Sequence, residues 1–235
     1  MESAGVIISV EGLTKVFRVG SEKITALSDV TFGVPKGQIC CIVGTSGSGK
    51  STLLNQLAGL EKPTKGRVII GKRNISAMSE AALARFRQHH IGFIFQSYNL
   101  MATMTALENV SMPLIFRGMP KKKREGIAAR ILEEVGLGDR MRHKPSQMSG
   151  GQQQRVGIAR AFVCAPKIIF ADEPTGNLDT KTTVEVIQMM VRLCKEQGQT
   201  LVLVTHDPEI AEHADRIITM RDGVIVEDRP GQALD

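Results

Sequence analysis

Aromatic residues are scarce in this sequence: Trp is absent, Tyr occurs once, and aromatics make up 4% of 235 residues. An extended platform for stacking nucleic-acid bases needs several aromatic side chains, so this class of protein is disfavoured. No apolar run approaches the roughly 18 residues of a membrane helix. The start, Met1–Val10, lacks the basic region of a secretory signal. We therefore expect a protein that folds in the cytoplasm and meets a membrane only through a partner.

Cysteine is also sparse, with four residues at positions that match neither a zinc site nor a disulfide framework. Cys40 and Cys41 are neighbours within an apolar run, so they should point to opposite faces of one strand. We predict buried, free thiols. The formal net charge of +6 is compatible with phosphate ligands, nucleic acid or an anionic membrane surface, and it selects none of them.

Short apolar, β-branched runs alternate with helical patterns, which favours an α/β fold with a largely parallel central sheet. Several short strands precede the first helix and are typical of an antiparallel β flank. The chain from Gln96 to Ala165 is mostly helical, and we interpret it as an insertion. Predicted strands are Val6–Val10, Ile24–Leu27, Val30–Val34, Ile39–Val43, Val68–Ile70, Ile91–Phe95, Ile168–Ala171, Leu201–Val204 and Ile217–Met220; predicted helices are Lys50–Leu60, Thr105–Val110, Lys121–Val135, Gly150–Phe162, Thr180–Gln197 and Pro208–His213.

A glycine-rich segment follows the strand Ile39–Val43 and matches G-x-x-x-x-G-K-[ST], the phosphate-binding loop. Its glycines let successive backbone N–H groups turn toward phosphate oxygens, and the following helix adds its positive N-terminal end. Lys50 should reach the β- and γ-phosphates, and the Ser51 hydroxyl should bind Mg²⁺. A glycine turn without a ligand is the structural alternative. The predicted nucleotide contacts are Gly44, Thr45, Ser46, Gly47, Ser48, Gly49, Lys50, Ser51 and Thr52.

A second motif is the apolar strand from Ile168 that ends in Asp172 and Glu173. Beside a phosphate loop, Asp172 is suited to a Mg²⁺ position through a bound water. Glu173 is suited to orienting and deprotonating the attacking water. A strand end that merely solvates its charges is the alternative. To this point the sequence indicates a Mg²⁺-dependent ATPase or GTPase, and the lack of an Asn-Lys-x-Asp guanine motif disfavours the GTPase.

The segment Gln147–Arg155 reads Q-M-S-G-G-Q-Q-Q-R. It resembles the L-S-G-G-Q signature of ATP-binding cassette (ABC) proteins, with Met148 in place of Leu. A hydroxyl, two glycines and a helix N-terminus together make a second anion-binding site. The resemblance implies that Ser149, Gly150, Gly151 and Gln152 contact nucleotide.

Further family motifs occur in order between Ile7 and Asp228. Gln96 matches the Q-loop glutamine, Asp179 ends the D-loop, His206 matches the switch histidine, and Phe17 occupies the place of the adenine-stacking aromatic. The segments Phe95–Leu100, Thr105–Val110 and Pro174–Asp179 look most like the branch with the LolD, MacB, antimicrobial-peptide-export and FtsE-like ATPases.

This resemblance implies one ABC ATPase domain with a P-loop NTPase (RecA-like) core, residues 1–96 and 166–235, and a helical sub-domain, residues 97–165. It implies an ATP-dependent, head-to-tail homodimer with ATP and Mg²⁺ at shared sites. The protein would drive a membrane permease from the inner face of the cell membrane, in export or extraction of a peptide, lipoprotein or hydrophobic compound. The implied catalytic residues are Glu173, His206 and Gln96, and the implied metal ligands are Ser51, Gln96 and Asp172.

Two alternatives belong to other functional classes. In an FtsE-like mechanotransmission complex the same ATPase would move no solute, and this sequence does not separate that role from transport. ABC proteins of repair or translation carry a coiled coil, zinc inserts or tandem cassettes, which are absent here. The basic run Lys121–Arg124 is either a solvated helix face or a contact with anionic lipid headgroups.

Overall fold

The computed structural model describes residues 5–231, so the first four residues of the segment Met1–Val10 lie outside the described chain. Within residues 5–231, no helix is both long enough and apolar enough to cross a membrane. The strands are β1 Val6–Val19, β2 Glu22–Pro35, β3 Ile39–Val43, β4 Lys65–Ile70, β5 Arg73–Asn74, β6 Ile91–Phe95, β7 Ile168–Asp172, β8 Thr200–Thr205, β9 Arg216–Arg221 and β10 Val224–Pro230; the α-helices are α1 Lys50–Leu57, α2 Glu80–His90, α3 Ala106–Phe116, α4 Lys121–Glu134, α5 Gly150–Phe162, α6 Thr180–Gln197 and α7 Pro208–Ala211.

The central sheet has six strands in the order β10-β9-β3-β8-β7-β6. All neighbouring pairs are parallel except β10 with β9. Parallel strands end at the same edge, so Val43, Phe95, Asp172 and Thr205 bring their following loops together. The predicted α/β class with a parallel core is confirmed, and this edge carries the site described below.

The second sheet is the antiparallel flank, with strand order β2-β1-β4-β5. The segments Ile24–Leu27 and Val30–Val34, predicted as two strands, form one strand, β2. The break between them is a register shift opposite β1, where Asp29 adopts a left-handed φ of 52°. Asp tolerates this conformation better than most residues. The local irregularity therefore bends a continuous strand and does not end it.

Two hydrophobic clusters lie on opposite faces of the central sheet. Cys41 belongs to the cluster with α3, α5 and α6, whereas Cys40 belongs to the cluster with α1 and the flank sheet. Both side chains are fully buried, and both thiols are free. The alternation predicted for this pair is confirmed.

The helical segment holds α3, α4 and α5, which pack on one another and share the core cluster that contains Val110, Leu132 and Phe162. The helix predicted to end at Val110 continues through Pro113 to Phe116. Val110 and Leu114 are both buried, and burial of a helical stripe outweighs the cost of one proline near the helix end. The structure also contains α2, which the sequence pattern did not indicate because Leu83 and Phe86 are its only buried residues.

Candidate functional site

The predicted phosphate loop connects β3 to α1 at the edge of the central sheet where the parallel strands end. Gly49 precedes α1 with a left-handed φ of 95°, and a Cβ at this position would come within 2.5 Å of the Ala26 carbonyl oxygen. A Cβ at Gly44 would overlap the carbonyl of Met220. Glycine is required at both ends of the loop because neighbouring backbone approaches it closely.

Lys50 is held inside this loop with a buried ammonium group. Its Nζ donates hydrogen bonds to the carbonyl oxygens of Gly44 at 2.8 Å and Thr45 at 2.9 Å. The residue is only 7% exposed, and among residues 5–231 no carboxylate forms an ion pair with it. The buried Ser48 hydroxyl in the same loop also has no partner among the described residues. A buried cation and an unpaired donor fit a phosphate anion.

Ser51 and Asp172 meet across the loop, with the Ser51 Oγ donating to Asp172 Oδ1 at 3.0 Å. Burial raises the pKa of Asp172, the Ser51 hydrogen bond and Lys50 oppose that shift, and Glu173 reinforces it. A hydroxyl and a carboxylate are oxygen donors of the kind that Mg²⁺ prefers. The pair therefore fits the metal position that the sequence predicted for these two residues.

Glu173 follows β7 in a left-handed conformation, with φ 45°, while its N–H donates to the Val204 carbonyl at 3.0 Å. Its Oε2 lies 2.9 Å from Nδ1 of His206, which follows β8. Gln96 lies at the end of β6, where its carbonyl accepts a hydrogen bond from Asn177 at 3.1 Å. Its side chain packs so closely on Gly176 that a Cβ there would be 2.7 Å from Gln96 Nε2.

One open cavity of about 910 Å³ brings most of the predicted residues together. Its lining includes the whole loop from Gly44 to Thr52 with Gln96, Glu173 and His206. Ala26, Pro208 and Thr219 also line it. Sequence reasoning missed these three because they carry no motif and reach the cavity only through the pairing of their strands and loops.

The predicted signature residues lie outside this cavity. Ser149 precedes α5 and forms a capping box with Gln152: its Oγ accepts from the Gln152 N–H at 3.3 Å, and its own N–H donates to Gln152 Oε1 at 3.0 Å. A Cβ at Gly151 would lie 2.6 Å from Cγ2 of Thr182. The first turn of α5 therefore packs beside the start of α6, apart from the phosphate loop of its own chain.

Asp179 and Phe17 also lie outside the cavity lining. Asp179 precedes α6 and accepts hydrogen bonds from the Thr182 N–H at 3.0 Å and hydroxyl at 2.7 Å. These bonds hold the pKa of the Asp179 carboxyl below its usual value. Phe17 lies on β1 with the Lys15 ammonium 4.9 Å from its ring centre. In the single chain Asp179 serves as a helix cap, and the Phe17 ring carries a cation.

A separate apolar groove of about 560 Å³ runs between α2, β6, α3 and the end of α5. Phe93, Phe95, Met112 and Phe116 contribute to its lining. Phe116 is 71% exposed, which is unusual for a large apolar side chain and marks a surface suited to a partner.

Comparisons with known proteins identify the family. Residues 27–176 match the ABC transporter family. The chain is 51% identical, over 90% of each chain, to an uncharacterized ABC transporter ATP-binding protein of Thermotoga maritima. It is 43% identical to the lipoprotein-releasing system ATP-binding protein LolD of Chromohalobacter salexigens, covering 95% of this chain and 94% of that one.

Longer relatives and solved structures agree with this result. The macrolide export ATP-binding/permease protein MacB of Rhodopirellula baltica is 45% identical over 94% of this chain, which spans 33% of that protein. The dimeric post-hydrolysis structure of the ATP-binding cassette MJ0796, bound to ADP and Pi, superposes with a TM-score of 0.89 at 41% identity, covering 97% of this chain and all of that one. The chain therefore belongs to the ABC transporter family as an ATP-binding, ATP-hydrolysing protein with the ABC ATPase fold.

Proposed function

We propose that this chain is the ATP-binding subunit of an ABC transporter and hydrolyses MgATP at two shared sites of a head-to-tail homodimer. The observation that carries the proposal is the separation of two anion-seeking elements. The phosphate loop lines a cavity with Glu173 and His206, whereas Ser149 and Gly151 open a helix outside it. The dimeric state of the related cassette MJ0796 supports this arrangement.

In this mechanism the Lys50 ammonium and the loop N–H groups bind the nucleotide phosphates. Ser51, Asp172 and Gln96 would hold Mg²⁺, which neutralises phosphate charge when bound. Glu173 orients the attacking water and accepts its proton as the water oxygen bonds to the γ-phosphorus and the bond to the β-phosphate oxygen breaks. His206, 2.9 Å from Glu173, keeps the carboxylate in place and reaches toward the γ-phosphate.

The second copy completes each site with its signature turn, Ser149–Gly151, and with Asp179. The open, water-filled cavity of the single chain is then covered on its exposed side, and ATP binds the closed dimer more strongly than the open one. Loss of the γ-phosphate removes this preference, and the dimer opens. We assign the adenine contact to Phe17, which can stack through its ring.

The dimer motion would be passed to a membrane permease through residues 97–165, which we propose as a helical sub-domain inserted in the RecA-like core of residues 1–96 and 166–235. The apolar groove with Phe116 at its rim is suited to a short cytoplasmic helix of the permease. The LolD and MacB names of relatives favour export or extraction of a lipoprotein, peptide or hydrophobic compound, with the protein peripheral on the inner membrane face.

A complementation experiment tests the shared site. Lys50→Ala removes the phosphate-loop half, and Ser149→Glu places a negative charge in the signature half. Each variant alone should lose MgATP turnover, but a mixture should recover activity and retain one nucleotide per dimer. In the mixed dimer, one site combines an intact loop with an intact signature turn.

The matched control mixes Lys50→Ala with Glu173→Gln. Both changes lie in the loop half, so neither site of that mixed dimer is intact, and no recovery is expected. Equal behaviour of the two mixtures, or full turnover by the Ser149→Glu variant alone, contradicts the shared site.

A further inference from the structure

Two consecutive residues just after Gln96 have an unfavourable backbone. Tyr98 and Asn99 both adopt left-handed conformations, with φ of 57° and 48°. Asn tolerates this region, but Tyr rarely does. Such a conformation persists only where the surrounding contacts impose it, and it often marks a functional segment.

The contact that imposes this backbone is a single arginine near the end of α5. Arg160 donates from Nη2 to the Tyr98 carbonyl at 2.8 Å and from Nη1 to the Asn99 carbonyl at 2.5 Å. Burial lowers the pKa of this guanidinium, and within residues 5–231 no carboxylate pairs with it. A desolvated cation whose only polar contacts there are two backbone carbonyls points to a positional role for Arg160.

The Tyr98 side chain extends from this segment to the other end of α5. A Cβ at Gly150 would lie 2.8 Å from the Tyr98 hydroxyl oxygen and 3.8 Å from Cζ of its ring. The tip of the ring therefore lies directly against the signature turn. Arg160 and Tyr98 thus connect both ends of α5 to the segment that begins with Gln96.

We propose that Arg160 and Tyr98 are positioning residues that set the signature turn for its meeting with the nucleotide of the second copy. Arg160 holds the backbone of residues 98 and 99, and the Tyr98 ring then fixes Gly150 relative to Gln96. This inference rests on the shared-site proposal, because the signature turn acts only across the dimer interface.

The same unit borders the apolar groove, since Asn99 and Arg160 both line it. A segment bound in the groove would contact the residues that hold Tyr98. The unit therefore offers a direct physical connection between the groove and the signature turn, 8 Å-scale side-chain contacts being sufficient for each step.

The test uses the full chain with Glu173→Gln, in which ATP should accumulate the dimer. Arg160→Lys retains the charge but cannot donate to two carbonyls at once. Tyr98→Ser removes the ring, whereas Tyr98→Phe retains it. We expect Arg160→Lys and Tyr98→Ser to weaken ATP-dependent dimerisation about tenfold or more, measured by sedimentation, with Tyr98→Phe close to the parent.

The second readout is ATP affinity of the monomer, measured at protein concentrations below dimerisation. It should stay within about twofold of the parent in every variant, because the phosphate loop is untouched. A merely structural defect would lower this affinity together with dimerisation. Tyr98→Ser alters an accessible loop and keeps the test decisive if Arg160→Lys fails to fold.

Arg117→Lys is the matched control, because Arg117 also binds two backbone carbonyls, those of Gln88 and Cys164. It should dimerise like the parent. Parental dimerisation by Arg160→Lys or by Tyr98→Ser overturns the inference, as does an equal loss in Arg117→Lys. If the Glu173→Gln parent itself stays monomeric with ATP, the shared-site proposal fails first and this inference fails with it.

Discussion

At the scale of single residues, the chemistry of the site depends on Glu173 being held in an uncommon conformation. Its left-handed φ of 45° turns the side chain away from the direction of Asp172, its neighbour on β7. Asp172 meets Ser51, and Glu173 meets His206. Two adjacent carboxylates thus face different partners, which suits one to a metal ion and the other to a proton.

The first prediction concerns Glu173→Gln. The amide keeps the size and hydrogen bonding of the side chain but cannot accept the proton of the attacking water. Turnover should fall by about 10²-fold or more, while ATP binding persists and a dimer accumulates. Phosphate release and sedimentation with ATP measure both effects.

Glu196→Gln is the control for this change. Glu196 lies near the end of α6 and pairs with Arg192 at 3.5 Å on an exposed surface. Its turnover should match the parent. Parental turnover by the Glu173 variant instead would remove Glu173 from its assigned role.

At the scale of elements, strand β3 shows how alternation controls reactivity. Cys40 and Cys41 are buried on opposite faces of the central sheet, and Cys194 is buried on α6. Burial raises the pKa of Cys40 and Cys194 to about 12 and also raises the pKa of Cys41. Thiols that stay protonated and inaccessible react slowly with alkylating agents.

The second prediction follows from these thiols. At pH 8, iodoacetamide should modify the half-buried Cys164 at least about tenfold faster than the other three, and all four should react alike in urea. Peptide mass mapping of a time course measures the order. Native labelling of Cys40 or Cys41 at the rate of Cys164 is the result that argues against the buried strand.

The same thiols affect stability at alkaline pH. Cysteines in the unfolded chain lose protons near their ordinary pKa, whereas the native Cys40 and Cys194 keep theirs to about 12. The unfolded state therefore binds fewer protons in this interval. Their contribution to the free energy of unfolding should be complete below pH 8 and should decline as pH rises from about 9 toward 12.

At the scale of the whole molecule, the groove is the surface that the single chain leaves uncovered. The third prediction is that Phe116→Glu abolishes association with a co-expressed permease and the ATPase stimulation it provides. The charge opposes burial of an apolar partner helix. Since Phe116 is 71% exposed, the free energy of unfolding should change by no more than about 0.5 kcal/mol.

Ile24→Glu provides the comparison for this experiment. Ile24 is an apolar residue, 49% exposed, on strand β2 of the flank sheet and outside the groove lining. Its association with the permease should equal that of the parent. Co-purification of the permease with Phe116→Glu at parental yield contradicts the assignment of the groove, and thermal unfolding confirms that both variants are folded.

Local chemistry explains which features were predictable. The phosphate loop, the acidic end of β7 and the capping box at Ser149 depend on residues a few positions apart, so spacing alone indicates them. The union of two predicted strands in β2 and the continuation of α3 through Pro113 were not predictable, because strand pairing and core burial override local signals. Both are long-range effects.

The sequence by itself determined the family and the identity of the phosphate loop, because their residues are contiguous and their chemistry follows from type and order. Only the tertiary structure decided that Glu173 meets His206, that Arg160 holds Tyr98, and that the signature turn lies outside the cavity of its own chain. These contacts join residues 33 and 62 positions apart in the first two cases. Their geometry follows from the packing of strands and helices, which no local pattern encodes.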